Sequence, residues 1–427
     1  MRALLPTAPA ALFAGLVLVS TPAAQGNVLS VGPFGGQQFT SIQAAVDAAG
    51  EGDVILIEPG FYPGPTVIDG KSVSLVKDFA PFALNVVFAE SLTIRNLAAD
   101  QEVLLHDIQF SGNPLGVGSS AAVSVENGVG KVLVEECICL GSPGLRVLNA
   151  ENVFVARSTL QGRDGLTSQS VNFSPASGLT ATDSELAVYN SVLGGGAGQP
   201  GLAGALQVLP GDGAPGILLA RAELTISGSD VQGGDGAPGL VGQQGQCVDP
   251  GAGAAGLEVF KFTVIPSQAT LIDTATQGGA EGLPAFGCAG LGADGPAIED
   301  PFGTLVELPV SGLNSSYTQS SPVRGGEDTL LTLGADPGDV AFVAVATAQD
   351  HLVLASGDVL LAGPAPVVLA LGAVPAGGFI NQFTTAPLLP AGLDQLTLYT
   401  QGALMLPTGQ VFLTEAQSLV IVNQLIP

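Results

Sequence analysis

Basic and aromatic residues are what this chain has least of. Its 427 residues include Lys+Arg 11, His 2, Trp 0 and Tyr 4, against Asp+Glu 37. The net charge of −26 repels phosphate backbones and anionic lipid surfaces, which excludes nucleic-acid binding. Without tryptophan, and with Tyr62, Tyr189, Tyr317 and Tyr399 as the only tyrosines, the aromatic platforms expected of a sugar-cleaving carboxylate pair are missing. Four cysteines form neither a C-x-x-C pair nor a Cys/His set at zinc spacing. Past the N-terminus no segment of the ~20 residues that a membrane span requires is free of both charged residues and Pro. Charged residues are only 11%, but a hydrophobic fraction of 46% is too high for a disordered acidic chain.

Glycine (60) and proline (30) are abundant. The N-terminus, MRALLPTAPAALFAGLVLVSTPAAQG, has a basic start at Arg2, a short apolar run over Leu12–Ser20 and small residues after it. It reads as a secretory signal over residues 1–26, with cleavage after Ala23 or Gly26. A secreted protein at the cell surface or beyond is expected, in a compartment that permits disulfides.

Six segments can be laid over one another: VLLHDIQFSG, VLVEECICLG, VFVARSTLQG, LAVYNSVLGG, LTISGSDVQG and TLIDTATQGG. Aligned on Leu105, Val134, Val155, Val188, Ile226 and Ile272, they place mostly small residues three positions on, Ile108 excepted, and glycine seven positions on. Five positions on stand Phe110, Cys139, Leu160, Leu193 and Val231, with Gln277 the departure. A second ladder (LTIRN, AVSVEN, GLRVLN, GLTATDS, GILLARA, GLEVFKF) accompanies the first. All length variation falls in one connection, so the strands keep their phase.

Alternating strands in a variable-length repeat describe a solenoid whose coils stack to bury a face that no single coil can bury. The expected fold is all-β: a parallel β-helix over residues 27–303, right-handed by the general bias of parallel crossovers. Seven coils, starting near Val54, Leu92, Ala122, Gly144, Gly178, Gly216 and Gly256, would span roughly 30 Å at the inter-strand spacing. The glycine at the seventh position is expected to provide a turn with positive φ.

Three glycine-rich insertions leave successive coils at one corner, and GDGAPG occurs at both 211–216 and 234–239. The insertions should therefore lie side by side as extended, polyproline-II-like segments; the glycine period is too short for a collagen triple helix. Cys247 and Cys288 fall in adjacent insertions and are expected to form a disulfide. Cys137 and Cys139 occupy inward columns and read as core.

FTSIQAAVDAAGEGD supplies a helical cap, with Ile42, Ala45, Val46 and Ala49 on one stripe and Thr40 or Ser41 at its start. The run FTSIQAAVDAAGEGDVILIEPGFYPG closely resembles the opening of pectin-lyase-like right-handed β-helix proteins, including the pectin methylesterases, with their cap helix, GD turn and PGxY strand. The resemblance covers about Gln37 to Gly295 and implies the fold. It does not extend to activity. The Q-D pair and the D-F-I-F-G and L-G-R-P-W runs of the esterases are absent, as are the N-T-D, D-D, G-H-G and R-I-K motifs of polygalacturonases.

From about Gly303 the pattern changes to some eight strands joined by Pro/Gly turns. This predicts an antiparallel β-sandwich over residues 304–427, which looks like the small C-terminal β-domain of secreted planctomycete- and myxobacteria-like proteins.

Two clusters stand on outward positions. Arg95, Glu126 and Arg146 would lie on three consecutive coils and are the candidates for catalysis. His106 and Glu135, near Asp107 and Glu136, are the candidates for binding. Either could meet a uronate, and both are equally rows of cross-strand ion pairs. A lyase would add a carboxylate set for Ca²⁺, but no motif calls for that ion or for any other cofactor. The sequence favours a monomeric, non-catalytic structural or adhesive protein that meets extracellular polysaccharide or cell-surface components. The alternative is a divergent polyuronate lyase or glycoside hydrolase.

Overall fold

The computed structural model describes residues 26–423, apart from 79–85, 113–119, 168–171, 203–207, 243–244, 261–265, 289, 291, 309–314, 355–357 and 364–365. The secretory segment, with the cleavage point after Ala23, lies outside the described residues. The protein is all-β apart from the cap helix Ile42–Ala48. Ser41 caps that helix, its Oγ accepting from Ala44 N, and Ile42, Ala45 and Val46 are buried against the first coils.

The solenoid is a parallel β-helix with three faces. One is a ten-stranded parallel sheet running from Val28–Val31 to Leu305–Leu308. The other two are arms of a fourteen-stranded parallel sheet. They are continuous in the long early strands Gly60–Asp69 and Val87–Arg95 and separate from the next coil onward. Ten rungs at the usual inter-strand spacing span roughly 43 Å, more than the seven coils expected. The extra rungs come from Val28–Val31 ahead of the cap helix, Val73–Lys77, and Leu305–Leu308 beyond the point where the sequence pattern changes.

The columns of the first ladder are real. Leu105 pairs with Val134, Val134 with Val155, Val155 with Val188, and Val188 with Ile226. The last unit is displaced by one residue: Ile226 pairs with Leu271, not Ile272. With that shift Thr276, not Gln277, pairs with Val231, so the column ends on a half-buried threonine.

The corner itself differs from expectation. The left-handed residue of each coil sits two positions past the reference, at Asp107, Glu136, Arg157, Asn190, Gly228 and Asp273. In three of these coils the serine that follows carries the ladder through the bend with its side chain. Ser158 Oγ donates to Ala156 O at 2.9 Å and accepts from Cys137 N at 3.1 Å. Ser191 and Ser229 repeat the pattern one and two coils on. Of the aligned glycines, Gly112 has positive φ, whereas Gly141, Gly162, Gly195 and Gly233 do not. At those four the reason is space, since a Cβ would overlap the backbone of Ala122, Ala176, Ala214 and Ala254 respectively.

The insertions form a slab of extended segments joined by backbone hydrogen bonds. The return segment through Ala214 shows the pattern, with three neighbours. Ala214 N donates to Gly196 O, Ala214 O accepts from Gly234 N, and Gly213 N donates to Ala252 O, at 2.8–2.9 Å. Glycine recurs because the segments pack backbone to backbone, and a side chain pointing inward would strike a neighbouring carbonyl. The disulfide Cys247–Cys288 ties two insertions together. Cys137 and Cys139 are buried and free.

The C-terminal sandwich packs a three-stranded sheet (Ser316–Gln319, Asp328–Gly334, Phe379–Thr385) against a five-stranded one. The larger sheet runs Val323–Arg324, Val411–Val422, Gln395–Met405, Val340–Ala346, Val367–Ala373, antiparallel except for the first pair. Tyr317 and Leu333 from one sheet meet Val343, Leu398 and Leu419 from the other in a shared core.

The sandwich lies against the outer face of the ten-stranded sheet. Leu104, Leu133, Phe154 and Tyr189 of the solenoid form one buried cluster with Tyr399 and Val420 of the sandwich and with Val359 and Leu361 of the hairpin Gln349–Val353/Val359–Ala362 beside it. Rungs such as Asp53–Ile57 and Val153–Ala156 are consequently buried on both faces. This is why VILI, VFVA and LAVY run apolar at consecutive positions, where a half-exposed strand would alternate.

Candidate functional site

Three places bear on function: the charged row on the solenoid, the seam beneath the sandwich, and the slab with the groove at its foot.

The charged row lies on one arm of the fourteen-stranded sheet, here the first arm, which runs from Val87–Arg95 through Val123–Gly128, Leu145–Ala150 and Leu179–Thr182. Asp69, Arg95 and Glu126 stand in register on successive rungs. Arg146 is opposite Ser124 on the next rung. Arg95 turns back to Asp69, with Nη2 at 2.8 Å and Nε at 3.0 Å from Oδ2. Arg146 pairs with Glu126, and its Nε donates to Ser124 Oγ at 3.0 Å. Ser124 Oγ in turn donates to Glu126 Oε1 at 2.7 Å. The structure thus brings Glu126 and Arg146 together, while Arg95 is engaged one rung earlier.

Hydrogen bonds from Asn96 and then Arg95 hold the Asp69 carboxyl below its ordinary range. The Ser124 hydroxyl and the Arg146 guanidinium, outweighing partial burial, do the same for Glu126. Both acids are therefore ionised at neutral pH, and neither holds a proton to donate as a general acid. Each charge already faces an opposite one, and pairs this open to solvent are only weakly stabilising.

His106 and Glu135 are on the ten-stranded sheet and pair in register, but both are buried under the sandwich. His106 Nδ1 is 3.3 Å from Glu135 Oε2, and His106 Nε2 is 3.0 Å from Ser321 O. Glu135 Oε2 accepts from Ser418 N at 3.0 Å and Ser418 Oγ at 2.5 Å. Burial alone would lower the His106 pKa; the Glu135 carboxylate overrides it and holds it above the ordinary value. These two side chains therefore bond the sandwich to the solenoid. Nearby, Asn190 Nδ2 donates to Glu415 Oε2, and Tyr399 OH donates to Glu102 Oε1 at 3.2 Å.

Sequence reasoning did not single out the aspartates of the slab. Asp164, Asp212 and Asp235 each accept a backbone N–H from the next insertion, those of Ala197, Ala252 and Ala280, at 2.7–2.8 Å. Asp294 accepts from Glu281 N at 2.9 Å within its own insertion. The signal was present as the dipeptide Asp-Gly, which occurs in every insertion and twice within the repeated GDGAPG. The tips of the slab carry exposed apolar residues: Leu209 at 61%, Leu283 at 75% and Phe286 wholly exposed.

Where the slab meets the first arm, a shallow groove of about 520 Å³ is lined by Ser142, Ser174, Ser177, Thr180, Gln199 and Asp212, among others. Thr180 is in register with Arg146, which sets the charged row at the groove's end. Among the described residues, no three His, Cys, Asp or Glu converge to hold a metal ion.

No protein-family model matches the chain, and no curated protein matches it. Among solved structures it is similar to Escherichia coli ybhc, at 14% identity over 60% of this chain and 73% of that one, with a TM-score of 0.28. It is also similar to full-length tailspike protein 2 from Escherichia coli O157:H7 bacteriophage CAB120, at 11% identity over 92% and 68%, with a TM-score of 0.23. A third is the PmoD soluble domain from Methylocystis sp. ATCC 49242 (Rockwell), at 11% identity over 23% and 76%, with a TM-score of 0.16. Likeness at these scores carries no functional argument.

Proposed function

We propose that this chain is a secreted, non-catalytic surface-interaction protein of the pectin-lyase-like β-helix type. In this reading the solenoid and sandwich form one rigid body, and the slab presents its tips to an extracellular polysaccharide or cell-surface component. The observation that carries it is the display of Leu209, Leu283 and Phe286 on segments held by backbone hydrogen bonds and by Cys247–Cys288. Exposed apolar side chains on a pre-ordered support are what an adhesive tip requires, because little conformational entropy is lost on contact. The disulfide and the N-terminal signal pattern support secretion. The cap helix, the buried Asp53 of the GD turn and the buried Tyr62 of the PGxY strand support the family.

The test is retention of the purified protein on immobilised cell-surface fractions and acidic polysaccharides. The double substitution Leu283→Ser and Phe286→Ser should abolish retention while leaving the thermal midpoint unchanged. Retention that survives both substitutions refutes the tip as the contact.

The groove beside Arg146 favours a second reading, a divergent polyuronate lyase or hydrolase. Incubation with a polyuronate panel, with and without Ca²⁺, distinguishes the two. Cleavage that Arg146→Ala abolishes would establish the enzyme and overturn the first reading.

A further inference from the structure

The two lateral edges of the sandwich are built differently. On one, side chains close the outward backbone of Ser316–Gln319. Tyr317 N donates to Glu415 Oε1 at 2.8 Å, Gln319 N donates to Gln417 Oε1 at 2.6 Å, and Gln417 Nε2 donates to Tyr317 O at 2.6 Å. On the other, Val367–Ala373 ends the five-stranded sheet and Phe379–Thr385, the next strand in the chain, ends the three-stranded sheet. Each has a single neighbour, Val340–Ala346 and Asp328–Gly334 respectively. Among the described residues, the side-chain bonds at this edge go to the existing neighbour, Thr332 Oγ1 to Asn381 Oδ1 at 2.9 Å and Thr385 Oγ1 to Asp328 Oδ1 at 2.7 Å, or stay within the strand, Gln382 Nε2 to Phe383 O at 3.1 Å.

This edge also exposes apolar side chains, and its two end strands carry no charge. Val368 is 59% exposed, Phe379 57% and Phe383 68%. No Asp, Glu, Lys, Arg or His occurs anywhere from Val359 to Leu393, in a chain of net charge −26. Natural proteins blunt sheet edges with charge, proline or bulges. Val367–Ala373 has a bulge opposite Ala341 and Phe342, but neither charge nor proline.

We propose that this edge is a self-association surface on which two copies of the chain pair Val367–Ala373 antiparallel about a two-fold axis. The five-stranded sheet then continues across the dimer, and Val368, Phe379 and Phe383 are withdrawn from water. A second copy is the favoured occupant for two reasons. An antiparallel strand pair about a two-fold is self-complementary, each strand supplying the groups its twin requires. Two such acidic molecules also repel each other over most of their surface, and that repulsion is least where charge is absent. The proposal departs from the monomer expected from sequence and is independent of the slab tips.

Sedimentation velocity on the full chain, from micromolar to sub-millimolar concentration, tests it. The expected result is a monomer–dimer equilibrium that shifts toward dimer as salt rises, because salt screens the repulsion. Val368→Glu and Phe383→Glu, each at an exposed position, should return the protein to monomer at concentrations where the wild type is mostly dimer, with the thermal midpoint retained. Leu283→Ser, at the slab tip, should leave the dimer intact. A wild type that stays monomeric at every concentration and salt overturns the proposal. So does a dimer that survives both glutamate substitutions.

Discussion

At the residue scale, glycine has two different jobs in this chain, and the sequence shows only that it is there. Gly195 adopts no positive φ, yet a Cβ there would run into the carbonyl of Ala214 in the neighbouring segment. Gly377 has open space around the equivalent position and no positive φ either. Gly195→Ala should therefore destabilise the protein by roughly 2–4 kcal/mol, as overpacking of a close backbone contact does. Gly377→Ala should stay within about 0.5 kcal/mol. Urea denaturation of the two variants measures the difference; equal midpoints would mean that the slab gives way freely around a methyl group. The serine column was likewise legible only as small side chains. That Ser158, Ser191 and Ser229 replace backbone acceptors at the bend depends on the left-handed residue before each, which no local pattern announced.

At the scale of the element, the slab is the part whose arrangement the sequence anticipated most directly. Insertions leaving one corner on successive coils have nowhere to lie except beside each other. The pairing of Cys247 with Cys288 follows from the same adjacency. By loop-closure entropy, removing that bridge costs about 4 kcal/mol at most. Cys247→Ser should lower the thermal midpoint and increase backbone amide exchange over 240–250 and 280–290. The solenoid rungs, held by their own ladders, should remain protected. Exchange that rises along the whole solenoid would show that the slab and the coils unfold as one unit. What the repeat pattern missed was the one-residue displacement at Leu271, because apolar residues occupy both 271 and 272 and either fits the inward column.

At the scale of the whole molecule, docking of the sandwich decides which side chains are available. It turns His106 and Glu135 from surface candidates into buried partners, and it places other ionisable groups in the same seam. Burial pushes the Glu415 carboxyl up to about 7, well above its ordinary value of 4.5, and raises Glu102 in the same direction. A carboxyl raised by folding favours the folded state while protonated, so the contribution of Glu415 falls as pH climbs from about 4.5 through about 7. His106, held above 6.5, contributes fully below that value and loses its contribution as pH rises through its folded pKa. Asp69, Glu126 and Asp183 are lowered, and what they contribute disappears on acidification below about 4. Stability should therefore be greatest near about pH 4.5–5, where the two trends cross. Thermal melts across pH 4 to 9, roughly the window these shifts span, check this, and a maximum on the alkaline side would contradict the seam as described. Glu415→Gln cannot ionise and escapes that loss, so it should gain stability relative to the wild type as pH rises from about 4.5 through about 7.

The sequence by itself determined the winding. Period-two alternation, small residues at one corner and length variation confined to another allow a parallel solenoid with a cap helix and stacked insertions. It also determined that a second β-domain follows. Tertiary structure alone decided where that domain sits, because the apolar runs that receive it, VILI, VLLH and VFVA, differ from ordinary core strands only in lacking polar alternates. Burial on a second face leaves the same composition whether another sheet, another domain or another chain covers it. The fate of His106 and Glu135 followed from that docking, since local pattern fixes the face a side chain points from and only long-range packing fixes what it meets.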